Sequence, residues 1–135
     1  MQVIIHTNEN GGVSVTVPTG EISIQAVQTK DTPAGSIIVN SDTLPNSDND
    51  FFNAWELVDG KVEVSLAKAK EITRVRLRAE REALLTAQDV LFQRALETAA
   101  DTTAIVAEKQ RLRDITNQVD SATTTAQLRG MKVEA

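Results

Sequence analysis

A chain of 135 residues with 41% hydrophobic content can bury one core, or a small head carrying a helical extension. Cysteine is absent and aromatics make up only 3%. This excludes disulfide scaffolds, Cys-based zinc sites and thiol nucleophiles, and argues against surfaces that stack on bases or sugars. The net charge of −5 is uneven: residues 1–64 hold Lys30 and Lys61 against nine acids, whereas residues 65–135 hold twelve basic residues against ten acids. An acidic head on a mildly basic stalk does not suit duplex nucleic acid, which needs a concentrated basic face.

In chain order, QVIIHT (residues 2–7) reads as a β-strand, Asn10-Gly11 marks a hairpin turn, and Val-Ser-Val-Thr-Val (13–17) alternates with period two before Pro18 ends the strand. Residues 21–30, EISIQAVQTK, suit a short helix capped by Thr19, although Ile22-Ser23-Ile24 also suits a strand. Thr32-Pro33-Ala34-Gly35 is a turn and residues 36–40 form a third, apolar strand. A polar loop, SDTLPNSDND, leads to the chain's aromatic cluster: Phe51, Phe52 and Trp55 plug the head core, starting with a short helix capped by Asp48 or Asp50. Residues 55–58 and 61–64 flank Asp59-Gly60, a second hairpin signal.

From Ser65, an N-cap residue, to about residue 98 there is neither Gly nor Pro, and strong helix formers dominate. About 34 residues make a rod of roughly 50 Å, longer than a small head is wide. Its first half is charged, with Arg76–Glu80 and Arg78–Glu82 placed as i,i+4 pairs. Its second half is apolar: Leu77, Leu84 and Leu91 repeat every seven residues, with Leu85, Phe92 and Leu96 beside them. Residues 99–103 break the pattern, with Asp101 as a cap. Residues 104–117 form a second amphipathic helix with Ile105, Leu112, Ile115 and Val119. The short connection implies an antiparallel helical hairpin. Residues 126–129 add a last turn before Gly130, and the tail 131–135 carries no signal. The expected architecture is α+β: an antiparallel β-rich head (1–64), then a long helix and a helical hairpin or coiled-coil-like module (65–135).

No arrangement points to catalysis. His6 is the single histidine and lies in a strand without an evident acidic partner. Asp42, Asp48 and Asp50 crowd one loop, but the Gly and distal Glu of a calcium loop are missing, and solvation or helix capping explains them more simply. Gly-rich phosphate loops, G-x-S-x-G and H-E-x-x-H do not occur. No cofactor or metal is expected. The stripe Leu77, Leu84, Leu85, Leu91, Phe92 and Leu96, with Arg74, Arg78 and Arg81 to choose and orient a partner, is the expected partner-binding surface. The bland reading of the same residues is internal core for the leucines and a solvated, salt-bridged face for the arginines. No apolar run approaches the ~18 residues of a membrane span, and the N-terminus lacks a basic and an apolar signal region.

Three stretches carry a resemblance: QVIIHTNENGGVSVTVP; LPNSDNDFFNAWEL, with Leu44-Pro45, Asp48 and Phe52-x-Ala54-Trp55; and AKEITRVRLRAEREALLTAQDVLFQRALE followed by EKQRLRDIT. They resemble small tailed-bacteriophage tail proteins, similar to the phage tail (fibre) assembly chaperone-like family. The chain departs from that pattern at Asn49-Asp50, where a basic residue is expected. The resemblance implies a non-enzymatic tail protein, made in the host cytoplasm, that binds the tail tip or tail fibre; it is expected to remain in the virion tail as a minor structural component. The alternative is a soluble assembly chaperone absent from the mature virion. Self-association is expected, most simply as a trimer, with other phage tail proteins as partners and no nucleic acid.

Overall fold

Alternating β-branched residues and two tight turns build the first part of the chain. In a computed structural model, which describes residues 1–134, strands β1 (Gln2–Thr7) and β2 (Val13–Thr16) pair antiparallel, and β3 (Ile37–Asn40) adds to the other side of β1. The turn between β1 and β2 is held by Asn8, whose Oδ1 accepts from the amides of Asn10 and Gly12, both at 3.0 Å, while Gly11 takes φ +79°. A second, two-stranded sheet joins β4 (Trp55–Val58) to β5 (Lys61–Val64). Asp59 and Gly60 between them adopt φ +50° and +79°, the left-handed pair that a two-residue hairpin turn requires.

Odd-numbered residues of the three-stranded sheet face the second sheet. Val3, Ile5 and Val13 form a buried cluster with Trp55, lined by Val39, Leu44, Leu57 and Val62. Ile4 is fully buried on the opposite face, where helix α1 (Ile24–Asp31) packs on β1 and β3 and buries Val27. The ambiguous stretch 21–30 is thus helical, but its cap is Ser23, whose Oγ accepts from the Ala26 amide, rather than Thr19. The polar loop resolves into a 3-10 turn, Ser41–Thr43, and a 3-10 segment, Asn46–Ala54, kinked at Asp48 and Phe51 and preceded by Pro45 without a side-chain cap. Asp48 offers its backbone carbonyl to Trp55 Nε1 at 3.2 Å, which satisfies the indole donor of the buried ring. Phe51 is buried, but Phe52 lies against Trp55 with its outer side exposed, so two of the three clustered aromatics plug the core.

Ser65 caps the long helix α2 (Leu66–Glu97), its Oγ accepting from the Lys68 amide. Two compact units divide one turn into this helix, Met1–Ala69 and Lys70–Ala135. After α2 come α3 (Thr103–Asp114), a 3-10 segment (Ile115–Ser121) and α4 (Thr125–Gly130). The second amphipathic helix therefore ends at Asp114, three residues short of its expected end at residue 117, and gives way to 3-10 geometry; Leu112 and Val119 remain fully buried across the change. The fold is α+β, a small antiparallel β region followed by a long helix and further helices.

Helix α2 stops in a left-handed cap. Ala100 N donates to Ala95 O at 2.8 Å and Ala99 N to Leu96 O at 3.3 Å, with Ala99 at φ +54°. This pairing of bonds needs a left-handed residue, which glycine adopts without a Cβ penalty and alanine does not. Ala99→Gly is expected to stabilise the protein by about 1 kcal/mol. Chemical denaturation of the two proteins checks this through a higher midpoint at unchanged slope.

Candidate partner-binding surface

Two rows of apolar residues run along α2, Leu77-Leu84-Leu91 and Leu85-Phe92-Leu96. Both are progressively uncovered toward the C-terminal end of the helix. Leu77 is fully buried, Leu84 and Leu85 are half-buried, and Leu91 and Leu96 are 45% and 54% exposed. Val90 and, on α3, Val106 are exposed at similar levels.

The cause is the path of the returning chain. Helix α3 folds back antiparallel to α2, as Lys109 Nζ shows by meeting Asp89 at 2.7 Å and lying 4.8 Å above the Phe92 ring. Farther along, Arg81 Nη1 donates to the carbonyls of Leu112 (3.2 Å) and Arg113 (2.8 Å) at the end of α3. Arg74 pairs with Asp120 at 2.5 Å, and Lys70 donates to the Asp120 carbonyl at 3.2 Å. Arg76 Nη2 then donates to the carbonyls of Leu128 (3.1 Å) and Met131 (2.9 Å), at the end of α4. On α3, Arg111 reaches the Val133 carbonyl at 2.9 Å and is itself gripped by Glu108 at 2.7 Å. The 3-10 segment, α4 and the tail are thus fastened beside the charged half of α2, burying Val119, Ala122, Leu128 and Val133 there. The other half of α2 has α3 alone beside it among these connections.

Three of the nine expected partner residues are therefore used inside the chain. Leu77 has no surface to offer a partner. Arg74 and Arg81 spend their guanidinium groups on Asp120, Glu71 and the α3 carbonyls, because a helix end leaves carbonyls without intrahelical partners and these cations lie within reach. Arg78 remains exposed, 3.5 Å from Glu71, rather than in the i,i+4 pair expected with Glu82; Arg76–Glu80 does form, at 3.1 Å. The surface that remains is Leu84, Leu85, Leu91, Phe92 and Leu96, extended by Val106, which the sequence reading did not single out.

The reading also passed over the tail as a packing element. Val133 is 2% exposed and α4 is properly capped, Thr124 Oγ1 accepting from the Gln127 amide while Gln127 Oε1 accepts from Thr123 N. The available signal was the Thr-x-x-Gln spacing at 124–127, a capping-box pattern.

Among the described residues no group of three or more His, Asp or Glu side chains is placed to hold a metal ion, and no helix is long and apolar enough to cross a membrane. His6 sits half-buried in β1, and Asp42 lies exposed with its amide bonded to Asn40 Oδ1. Comparison with known proteins gives no match to a protein-family model, a curated protein or a solved structure.

Two carboxylates tune the hairpin. Asp101, one residue before the helix cap, accepts from both the hydroxyl (2.7 Å) and the amide (3.0 Å) of Thr103, and these bonds lower its pKa. The Arg111 guanidinium likewise lowers that of Glu108. A carboxylate whose pKa is lowered on folding stabilises the fold above its ordinary range, and that contribution disappears as pH falls through the lowered value. Acid below about pH 4 is thus expected to fray the start of α3 and loosen the Arg111 contact before the rest of the hairpin opens. A proton-NMR titration of the Thr103 amide follows the first step.

Replacing Arg76 tests the tail. Hydrogen bonds from charged groups contribute about 1.5–3 kcal/mol each. Arg76→Ala is therefore expected to raise amide exchange across residues 125–133 by at least about tenfold. Arg76→Lys is expected to recover little of this, since a single ammonium lacks the fork that spans two carbonyls. Hydrogen exchange with mass spectrometry measures both.

Proposed function

We propose that this protein is a non-enzymatic component of a bacteriophage tail, binding other tail proteins at the tail tip or tail fibre through the turn end of its helical hairpin. The observation that carries this reading is the group of large apolar side chains left uncovered there, Leu91 and Leu96 on α2 and Val106 on α3. Isolated exposed leucines are ordinary, but Leu91 and Leu96, on either flank of half-buried Phe92, are exposed together with Val90 and Val106 near one end of the hairpin, a concentration of apolar surface of the kind that partners cover. The tail assignment rests on the resemblance of the β-hairpin, the Leu44–Leu57 link and the arginine-rich helix to small tail-associated phage proteins. In this reading the protein self-associates or sits on a symmetric tail component, and it stays in the particle.

Binding energy resides in the apolar strip. Covering a Leu or Phe side chain contributes about 1.5–3 kcal/mol, whereas an exposed ion pair contributes about 0–1 kcal/mol. Arg78 orients the partner more than it holds it. Leu91→Ala is expected to weaken assembly about tenfold at any salt concentration, with the folded helix content unchanged, because a half-exposed residue supports little of the fold. Arg78→Ala is expected to weaken it less than about fivefold, and less still at high salt. Sedimentation and pull-down with the tail components read both, and mass spectrometry of purified virions places the protein in or out of the particle. Its absence there, with association intact, gives the transient assembly chaperone.

A further inference from the structure

We propose that the head accepts an extended peptide segment of a partner protein, laid as an added strand along the free edge of β5. This surface is separate from the hairpin strip and does not rest on the tail reading.

The two sheets of the head leave a groove of about 630 Å³ between β3 and β5. Its apolar lining is Ile5, Val39, Leu44 and Val62, with Lys61 and Glu63 beside them. Both flanking strands are sheet edges, since β3 pairs only with β1 and β5 only with β4. Hydrogen-bond phase decides which edge is available. In the β4–β5 hairpin the two-residue Asp59-Gly60 turn makes Val58 and Lys61 a bonded pair, and Glu56 and Glu63 follow two residues on. Lys61 and Glu63 therefore turn their backbone groups toward β4, while the N–H and C=O of Val62 point outward. On β3, the bond from Ser41 N to Met1 O sets the phase so that Asn40 points outward, but its carbonyl already accepts from Thr43 Oγ1 at 2.7 Å. Of the strand residues lining the groove, Val62 thus keeps both its backbone donor and its acceptor open, whereas Asn40 keeps only its N–H.

This combination selects an extended chain. A strand edge offers backbone bonds, and pockets beside it take alternate side chains of the incoming strand. The side chains turned into the groove must be apolar. The strand is short, so they supply most of the affinity. Residues 1–64 carry only Lys30 and Lys61 against nine acids, which favours basic residues at the ends of the incoming segment.

The test uses an array of labelled eight-residue peptides with Val, Ile, Leu or Phe at alternate positions, threonine between them, and Lys or Glu at both ends, titrated into the full chain by fluorescence polarisation. Saturable binding of Lys-ended alternating peptides is expected, several-fold tighter than their Glu-ended counterparts. Val62→Pro removes the outward N–H without touching the β4 ladder and should weaken the best peptide at least tenfold, provided thermal denaturation shows the head folded. N-methylation of that peptide's alternate amides should do the same with the protein unaltered. The proposal is overturned by the absence of saturable binding across the array, or by binding that survives both changes. It is equally overturned if Val62→Pro alters only the sedimentation of the protein itself, which would assign the edge to a second copy.

Discussion

The helical part of this protein depends on cations of one helix finding the carbonyl ends of others. Helix α2 places Lys70, Arg76 and Arg81 where the 3-10 segment, α4 and α3 respectively terminate, and each donates to a backbone carbonyl there. Helix C-termini leave carbonyls unpaired and carry the negative end of the dipole, so a cation at that position satisfies both the bonding and the charge. Arg76 and Arg81 each bridge two carbonyls, which a planar, forked guanidinium does and an ammonium does not. A returning chain of short helical pieces is fastened in this way at successive points along one long helix.

That fastening inverts the simplest expectation for an amphipathic rod. The charged half of α2, which looks like a solvated face, lies beside Leu112, Val119 and Leu128, all fully buried. The apolar half, which looks like core, is the part left with a single neighbouring helix. The stems of the basic residues explain the reversal, because Arg and Lys cover apolar surface with their methylenes while their heads reach polar acceptors. Folding engages Arg74, Arg76 and Arg81, and it leaves Leu91, Leu96 and Val106 exposed.

The head is built on a different constraint. With five short strands it must bury two sheet faces and one helix using few aromatics, and it does so by stacking the odd residues of one sheet on Trp55, Leu57 and Val62 of the other while α1 covers the reverse face. A two-stranded sheet cannot close against three strands on both sides. The groove between β3 and β5 is the consequence of that mismatch, and the edge of β5 is where the backbone remains unpaired.

Short-range chemistry was legible in the residues themselves. Asn8 to Gly12 and Asp59-Gly60 specify their turns because few residues tolerate positive φ, Ser65 announces the start of α2 through its own side chain, and the period-two pattern of 13–16 can bury only one face. The seven-residue leucine spacing likewise identified the side of α2 that meets another helix. What only the tertiary structure decided is which part of that side stays covered, what Arg74, Arg76 and Arg81 hold, and that Val133 packs at all. Beyond the nearby Glu71 and Glu80, the acceptors of those arginines are backbone carbonyls and one aspartate, 31 to 55 residues away. Every residue type carries a carbonyl, so the sequence by itself determines a cation in search of a partner, and only the folded path of the chain supplies it.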